Sequence, residues 1–210
     1  IERIRADDDV KALIVRINSP GGTVVGGEAL HKALNRVRKQ KPVIAIMDEL
    51  ATSAGYMVAV ASDRVIAHAG TITGSIGVLM QTAEITDLLR KLGIKVEAIK
   101  SGPLKAEPSP FSKITPKVRE ATKLLIDDMY KMFIEMVAKG RDIKIQKVRE
   151  LADGRVYTGR MALKIGLVDE IGGERQAKNW LISKKKIDKS LPVLDIRPEN
   201  SVKRWLDNAI

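Results

Sequence analysis

The chain has 210 residues, 44% of them hydrophobic and 3% aromatic, with a formal net charge of +11. That length suits one medium domain whose interior is filled by Leu, Ile, Val, Ala and Met. With no cysteine, disulfides and thiolate-metal sites are excluded. The basic residues are scattered except for "KKKIDK" (Lys184 to Lys189), and no zinc-finger or RNA-binding signature accompanies them, so nucleic acid is not the expected partner and a membrane-adjacent setting fits better.

In chain order, "KALIVRI" (Lys11 to Ile17) is apolar and β-branched enough for a buried strand, and it stops at "NSPGG". From Thr23 to about Lys39, apolar residues at helical spacing predict a helix. "PVIAIM" (Pro42 to Met47) predicts a second strand, "SAGYMVAVAS" (Ser53 to Ser62) a short buried helix, and "RVIAH" (Arg64 to His68) a third strand. A Gly- and Thr-rich link leads to "SIGVLM", an amphipathic helix near Glu84 to Leu92, and a further strand "KVEAI" (Lys95 to Ile99).

After the loop "KSGPLKAEPSPFSK", Thr115 is a candidate N-cap with Pro116 at the first helical position. Val118, Ala121, Leu125, Met129, Met132, Met136 and Val137 form the expected apolar face of the long helix that follows. Short helices and turns are expected through Gly173, and "PVLDI" (Pro192 to Ile196) hints at a strand. Alternating strands and helices favour an α/β domain with a parallel sheet. The expected division is one domain over 1–182 and a basic tail over 183–210. No apolar run approaches the ~18 residues that span a bilayer, and the absence of an initiator Met suggests a fragment or processed form.

Ser53, between small residues at a strand-to-helix junction, is either a helix cap or a nucleophile. General capping preference favours the cap. A nucleophile elbow, G-x-S-x-G, would need glycine at Ala51. A nucleophilic serine also needs a base and oxyanion donors. Of the two histidines, His31 reads as a solvated helix residue and His68 ends a strand with its ring direction undetermined. "NSPGG" offers amides near Gly22 beside a helix start, "TITGSIG" offers Ser75, and Lys105 lies in a Pro-punctuated loop. Taken singly, these read as a turn, a strand hydroxyl and a solvated lysine.

Together, "RINSPGG", "ATSAGY", "TGSIGV", "KSGPLKAEPSPF" and "ADGRVYTGRMALKIGLVDEIGG" resemble the signal peptide peptidase A family, serine proteases of the Clp-protease/crotonase fold. The likeness runs from about Val10 to Gly173. It implies Ser53 as nucleophile, Lys105 as general base, Ser75 as the residue that orients the lysine, and the backbone amides of Gly22 and Ala54 as oxyanion donors. A Ser-His-Asp triad is not supported, because Val78 stands near the expected histidine position.

A lysine can serve as base only when driven into a water-poor place, since lowering its pKa from ~10.4 to near 7 takes about 4 kcal/mol. The resemblance further implies a homo-oligomeric ring in which serine and lysine come from neighbouring subunits, and no cofactor. It implies apolar signal-peptide substrates, an N-terminal anchor preceding this chain, and a place on the extracytoplasmic face of the bacterial inner membrane. Competing readings are an acyl-CoA-binding enzyme of the crotonase class and a catalytically silent, membrane-associated scaffold.

Overall fold

The computed structural model describes residues 1–196. The distal tail, 197–210, lies outside the described residues. A one-turn helix, α1 (Glu2–Ala6), precedes β1 (Leu13–Ser19), α2 (Val24–Arg38) and β2 (Val43–Thr52). Then come α3 (Ala54–Ala59), β3 (Arg64–Ala67), β4 (Ile72–Gly74) and α4 (Thr86–Lys91). The long α5 (Pro116–Arg141), α6 (Ile145–Leu151), β5 (Val156–Thr158), α7 (Gly159–Lys164), β6 (Glu170–Ile171) and α8 (Glu174–Lys185) complete an α/β architecture.

The six strands form one sheet with β2 at its centre. β1, β3, β4 and β6 join it through parallel pairings, and only β4 with β5 is antiparallel. Val43 to Met47 are all buried, as expected for a parallel strand covered on both faces. The two-residue pleat sorts them. Ala45 and Met47 join Val65, Tyr56, Phe133 and Val137 on one face, while Ile44 and Ile46 join Ile66, Ala177 and Leu181 on the other.

β2 is longer than "PVIAIM" predicts, running on through "DELAT" to Thr52. Along one edge it has two successive neighbours: β3 against Ile44 to Met47, then β4 against Leu50 to Thr52. On the other edge the register with β1 slips between Ile17 and Ser19, and Asn18 Oδ1 accepts from the Leu50 amide at 3.2 Å. Buried threonines serve carbonyls at and just beyond the change of neighbour. The Thr71 hydroxyl lies 2.5 Å from Asp48 O and 3.1 Å from Met47 O, and Thr73 donates to Ala51 O at 2.7 Å. A buried carbonyl without such a partner costs about 1–3 kcal/mol.

α5 begins as its sequence predicts, with Thr115 Oγ1 accepting from the Val118 amide and Pro116 in the first turn. Its buried face differs from expectation. Val118 and Val137 are buried as expected, Phe133 and Ile134 join Val137 in the core, and Leu125 is exposed. "KVEAI" forms no strand, nor does "PVLDI", and both runs are exposed. A strand needs an edge to pair with, and neither run meets one among the described residues. No helix among the described residues is long and apolar enough to cross a membrane.

The C-terminal end of α5 is tied to the sheet by a forked ion pair. Arg141 Nη1 and Nη2 donate to Asp169 at 2.8 and 2.6 Å, and Arg141 Nε donates to Gly166 O at 3.0 Å. Asp169 also accepts from the Val65 amide. Burial alone would raise the Asp169 pKa, but the Arg141 hydrogen bonds outweigh it and hold the carboxyl below its ordinary value. The group therefore adds stability that is present above the ordinary carboxylate range and is lost as pH falls through the depressed native value. Arg141→Met should destabilise the fold by about 3 kcal/mol and remove that part of the acid dependence, as read by denaturant unfolding at pH 7 and pH 3.

Candidate active site

Ser53 occupies the turn between β2 and α3 with φ 52° and ψ −121°. A side chain in this region is strained, costing about 1–3 kcal/mol, and persists only where its surroundings enforce it. Two features do so here. The Ser53 amide donates to Gly74 O at 2.9 Å, and its carbonyl accepts from the Tyr56 and Met57 amides at 2.9 and 3.1 Å. The capping alternative can be judged against helices that use it: Thr23, Thr115 and Thr158 all have extended backbones and accept from an amide of the first turn. Ser53 makes no such bond. Its hydroxyl is left for other work.

The "NSPGG" turn at the end of β1 packs directly on this serine. A Cβ added to Gly21, whose φ is +125°, would lie 2.9 Å from Ser53 Cβ and 3.3 Å from its Oγ. The turn is fixed by Ser19, which accepts from the Gly21 amide at 3.2 Å, and by Thr52, whose hydroxyl donates to Pro20 O at 2.8 Å. Gly55 must also be small, because its Cβ would stand 3.1 Å from Ser19 O. Among the described residues, the amides of Gly22 and Ala54 donate to no group of the chain, so both are free to serve an anionic oxygen beside Ser53.

Ser75 follows the carbonyl that holds the Ser53 amide. It has φ 48°, and its own amide donates to Arg155 O at 2.8 Å. Gly74 (φ +86°) passes so close to Tyr157 that a Cβ would sit 2.7 Å from the ring. Ser53, Gly21, Gly22, Ala54 and Ser75 are thus gathered at the ends of β1, β2 and β4. Lys105 is not gathered with them by any bond. It is exposed on the loop before α5, its amide donates to Gly102 O at 3.1 Å, and among the described residues its ammonium bonds neither Ser53 nor Ser75.

The histidines take other places. His31, expected to be solvated, is half-buried with Nδ1 2.8 Å from Met57 O. Burial pulls its pKa down, so at neutral pH the uncharged ring donates to the back of α3. His68 is exposed, its amide donates to Thr71 Oγ1 at 2.9 Å, and its ring lies near Gly173. Neither hydrogen-bonds Ser53. Sequence reasoning missed Gly21 and Gly74. Each had a signal, as a glycine next to a singled-out residue, but only the backbone angles and close contacts give it a role.

Residues 35–188 match the Peptidase family S49 profile. The chain belongs to peptidase family S49. A candidate protease of Synechocystis sp. is 39% identical over 184 residues, covering 88% of this chain and 66% of its own length. A candidate signal peptide peptidase SppA of Enterococcus faecium is 33% identical over 213 residues, covering 100% of this chain and 62% of its own. Protease 4 of Haemophilus influenzae is 36% identical over 180 residues, covering 85% and 29%. The S49 chain therefore spans less than two thirds of the length of each of these relatives.

If Ser53 is held in a costly conformation for its reactivity, removing its side chain should help the fold. In this S49-family chain, Ser53→Gly is expected to gain about 1 kcal/mol of stability from relieved strain, less the entropic cost of glycine, while abolishing fluorophosphonate labelling. Gly21→Ala should act in the opposite sense, losing about 1–3 kcal/mol and slowing labelling of Ser53 at least ten-fold. Urea unfolding and labelling kinetics on the same samples check both.

Proposed function

We propose that the chain is an ATP-independent serine endopeptidase acting through a Ser53/Lys105 dyad. The observation that carries this reading is the strained, uncapped Ser53, set among free amides at a strand-to-helix turn. Ser53 Oγ attacks the scissile carbonyl while the neutral Lys105 amine takes its proton. The amides of Gly22 and Ala54 hold the tetrahedral oxyanion. Collapse expels the amine, which leaves with the proton Lys105 had taken from Ser53, and forms an acyl-enzyme that water hydrolyses by the same route. Ser75, one residue beyond the carbonyl that anchors Ser53, accepts from the lysine and orients it. Every step uses protein groups, and the reading calls for no cofactor.

In this reading the cradle is one subunit's and the lysine is a neighbour's, in a homo-oligomeric ring of the Clp-protease/crotonase fold. Supporting it, Lys105 has no bond to the cradle among the described residues of its own chain, and the partly exposed apolar side chains of Met80, Leu104 and Leu125 line a hollow beside its loop. Contact with a second copy would supply the dry surroundings an amine base requires. The substrates are apolar signal peptides left after preprotein processing. The site faces the extracytoplasmic side of the bacterial inner membrane, close to a membrane anchor outside the sequence in hand. The net charge of +11 suits a surface near anionic head groups.

Lys105→Ala should lower peptide hydrolysis by at least a thousand-fold while leaving the thermal midpoint unchanged, and a fluorophosphonate adduct mapped by mass spectrometry should fall on Ser53. Near-full activity in Lys105→Ala, or an adduct elsewhere, would overturn the dyad. Coenzyme A affinity with an unlabelled Ser53 would favour the crotonase-type alternative instead.

A further inference from the structure

The stretch from Lys100 to Ser112 is closed on itself by one carboxylate. Glu107 has a side chain only 9% exposed, and its Oε1 accepts from Lys100 Nζ at 2.7 Å. Ser112 Oγ lies 3.1 Å from both carboxylate oxygens, and the Ser109 amide donates to Oε2 at 3.1 Å. These donors hold the carboxyl below its ordinary value, the Lys100 hydrogen bond foremost. Lys105 sits inside this closed stretch, two residues before Glu107, followed by Ala106 at φ 63°. Glu107 and Leu104 also line a hollow of about 120 Å³ against Val118 and Leu125 of α5.

An exposed ion pair at a loop surface is worth little. This one differs in being covered and in serving three separate donors, which makes it a fixed point of the loop. Its placement has a second consequence. A carboxylate two residues from a catalytic amine would itself attract the protonated form of that amine and hold it charged. Lys100 prevents this by occupying Glu107. The loop is therefore rigid at its base while the ammonium at its tip is left without a competing partner.

We propose that Glu107, clasped by Lys100, Ser109 and Ser112, is the positioning residue of the catalytic lysine: it fixes the loop from which Lys105 projects, and Lys100 keeps its charge from capturing that amine. Glu107 touches no reacting atom. The inference rests on the reading of Lys105 as the base, and the test separates the two.

Peptide hydrolysis and fluorophosphonate labelling of Ser53 are measured for Glu107→Gln, Lys100→Met, the double variant and Lys105→Ala, in the full chain. Glu107→Gln should lower kcat about ten-fold with KM within two-fold of the parent, since misplacement of a reacting group by a fraction of an ångström carries losses of this order. Lys100→Met should be slower still, because the freed carboxylate binds Lys105. The double variant should recover to the level of Glu107→Gln, which two independent defects could not do.

Labelling rates should follow kcat, and thermal midpoints should stay within about 2 °C. Hydrogen exchange should quicken over residues 101–112 alone. Multiplying losses in the double variant, Glu107→Gln within two-fold of the parent beside an inert Lys105→Ala, or exchange that quickens throughout the chain would each overturn the clasp alone. A fully active Lys105→Ala would overturn the base, and the clasp with it.

Discussion

The site depends on one exchange of neighbours along β2. Up to Met47 the strand is paired by β3, and from Leu50 onward by β4. Because β4 continues the pairing to Thr52↔Gly74, Gly74 O is available to take the amide of the next residue, Ser53. Without the change of neighbour, the last five residues of β2 would be held on the β1 side alone, and the Ser53 amide would lose its acceptor. The buried Thr71 hydroxyl meets the carbonyls at the change itself, and Thr73 donates to Ala51 O just beyond it. Strain of about 1–3 kcal/mol at Ser53 is comparable to what those polar contacts protect, so the turn persists as a property of the sheet.

The buried setting of the serine contrasts with the exposed setting of Lys105. The cradle around Ser53 is built from buried strand ends, while Lys105 is solvated on a segment that packs on α5 through Leu104 and Glu107. Under the proposed mechanism this division has a physical advantage. An amine held apart from the serine in a lone subunit cannot take its proton. Burial by a second copy would at once remove its water and bring it to the serine, so proteolysis would be confined to assembled enzyme. The clasp at Glu107 fits the same logic, because a loop that must meet another surface in one orientation cannot be floppy at its root.

Much of this was legible in the sequence, for identifiable reasons. α2 and α5 were readable because Thr23 and Thr115 are true caps followed by helical periodicity. β2 was readable up to Met47 and not beyond, because "DELAT" owes its extended form to β4 and to threonines more than 20 residues away. "KVEAI" carries the composition of a strand, yet composition cannot supply an edge. His31 was misjudged because its burial is set by α3, whose Met57 carbonyl it meets from a different helix. Ser53 was ambiguous between cap and nucleophile from its own neighbours, and only the resemblance carried by the joined motifs made it the expected nucleophile, since the two uses differ in a single pair of backbone angles.

Under the proposed mechanism, the missing elbow glycine at position 51 shows why motif spacing alone misleads. A strained nucleophile turn requires that nothing crowd the serine, and G-x-S-x-G meets the requirement with glycines two residues to either side along the chain. This chain keeps one of those, Gly55, and meets the rest of the requirement across space. Gly21 at the end of β1 provides the room beside Ser53 Cβ, while Gly74 on β4 fits beneath the Tyr157 ring of β5 and offers its carbonyl to the serine amide. Ala51 can then be an ordinary buried residue, paired with Ser19 and Thr73. The steric condition is conserved in form while its suppliers move from sequence neighbours to sheet neighbours. For that reason "NSPGG", "ATSAGY" and "TGSIG" carry meaning jointly that none carries singly: they are three sides of one pocket, and each explains the small residues of the others.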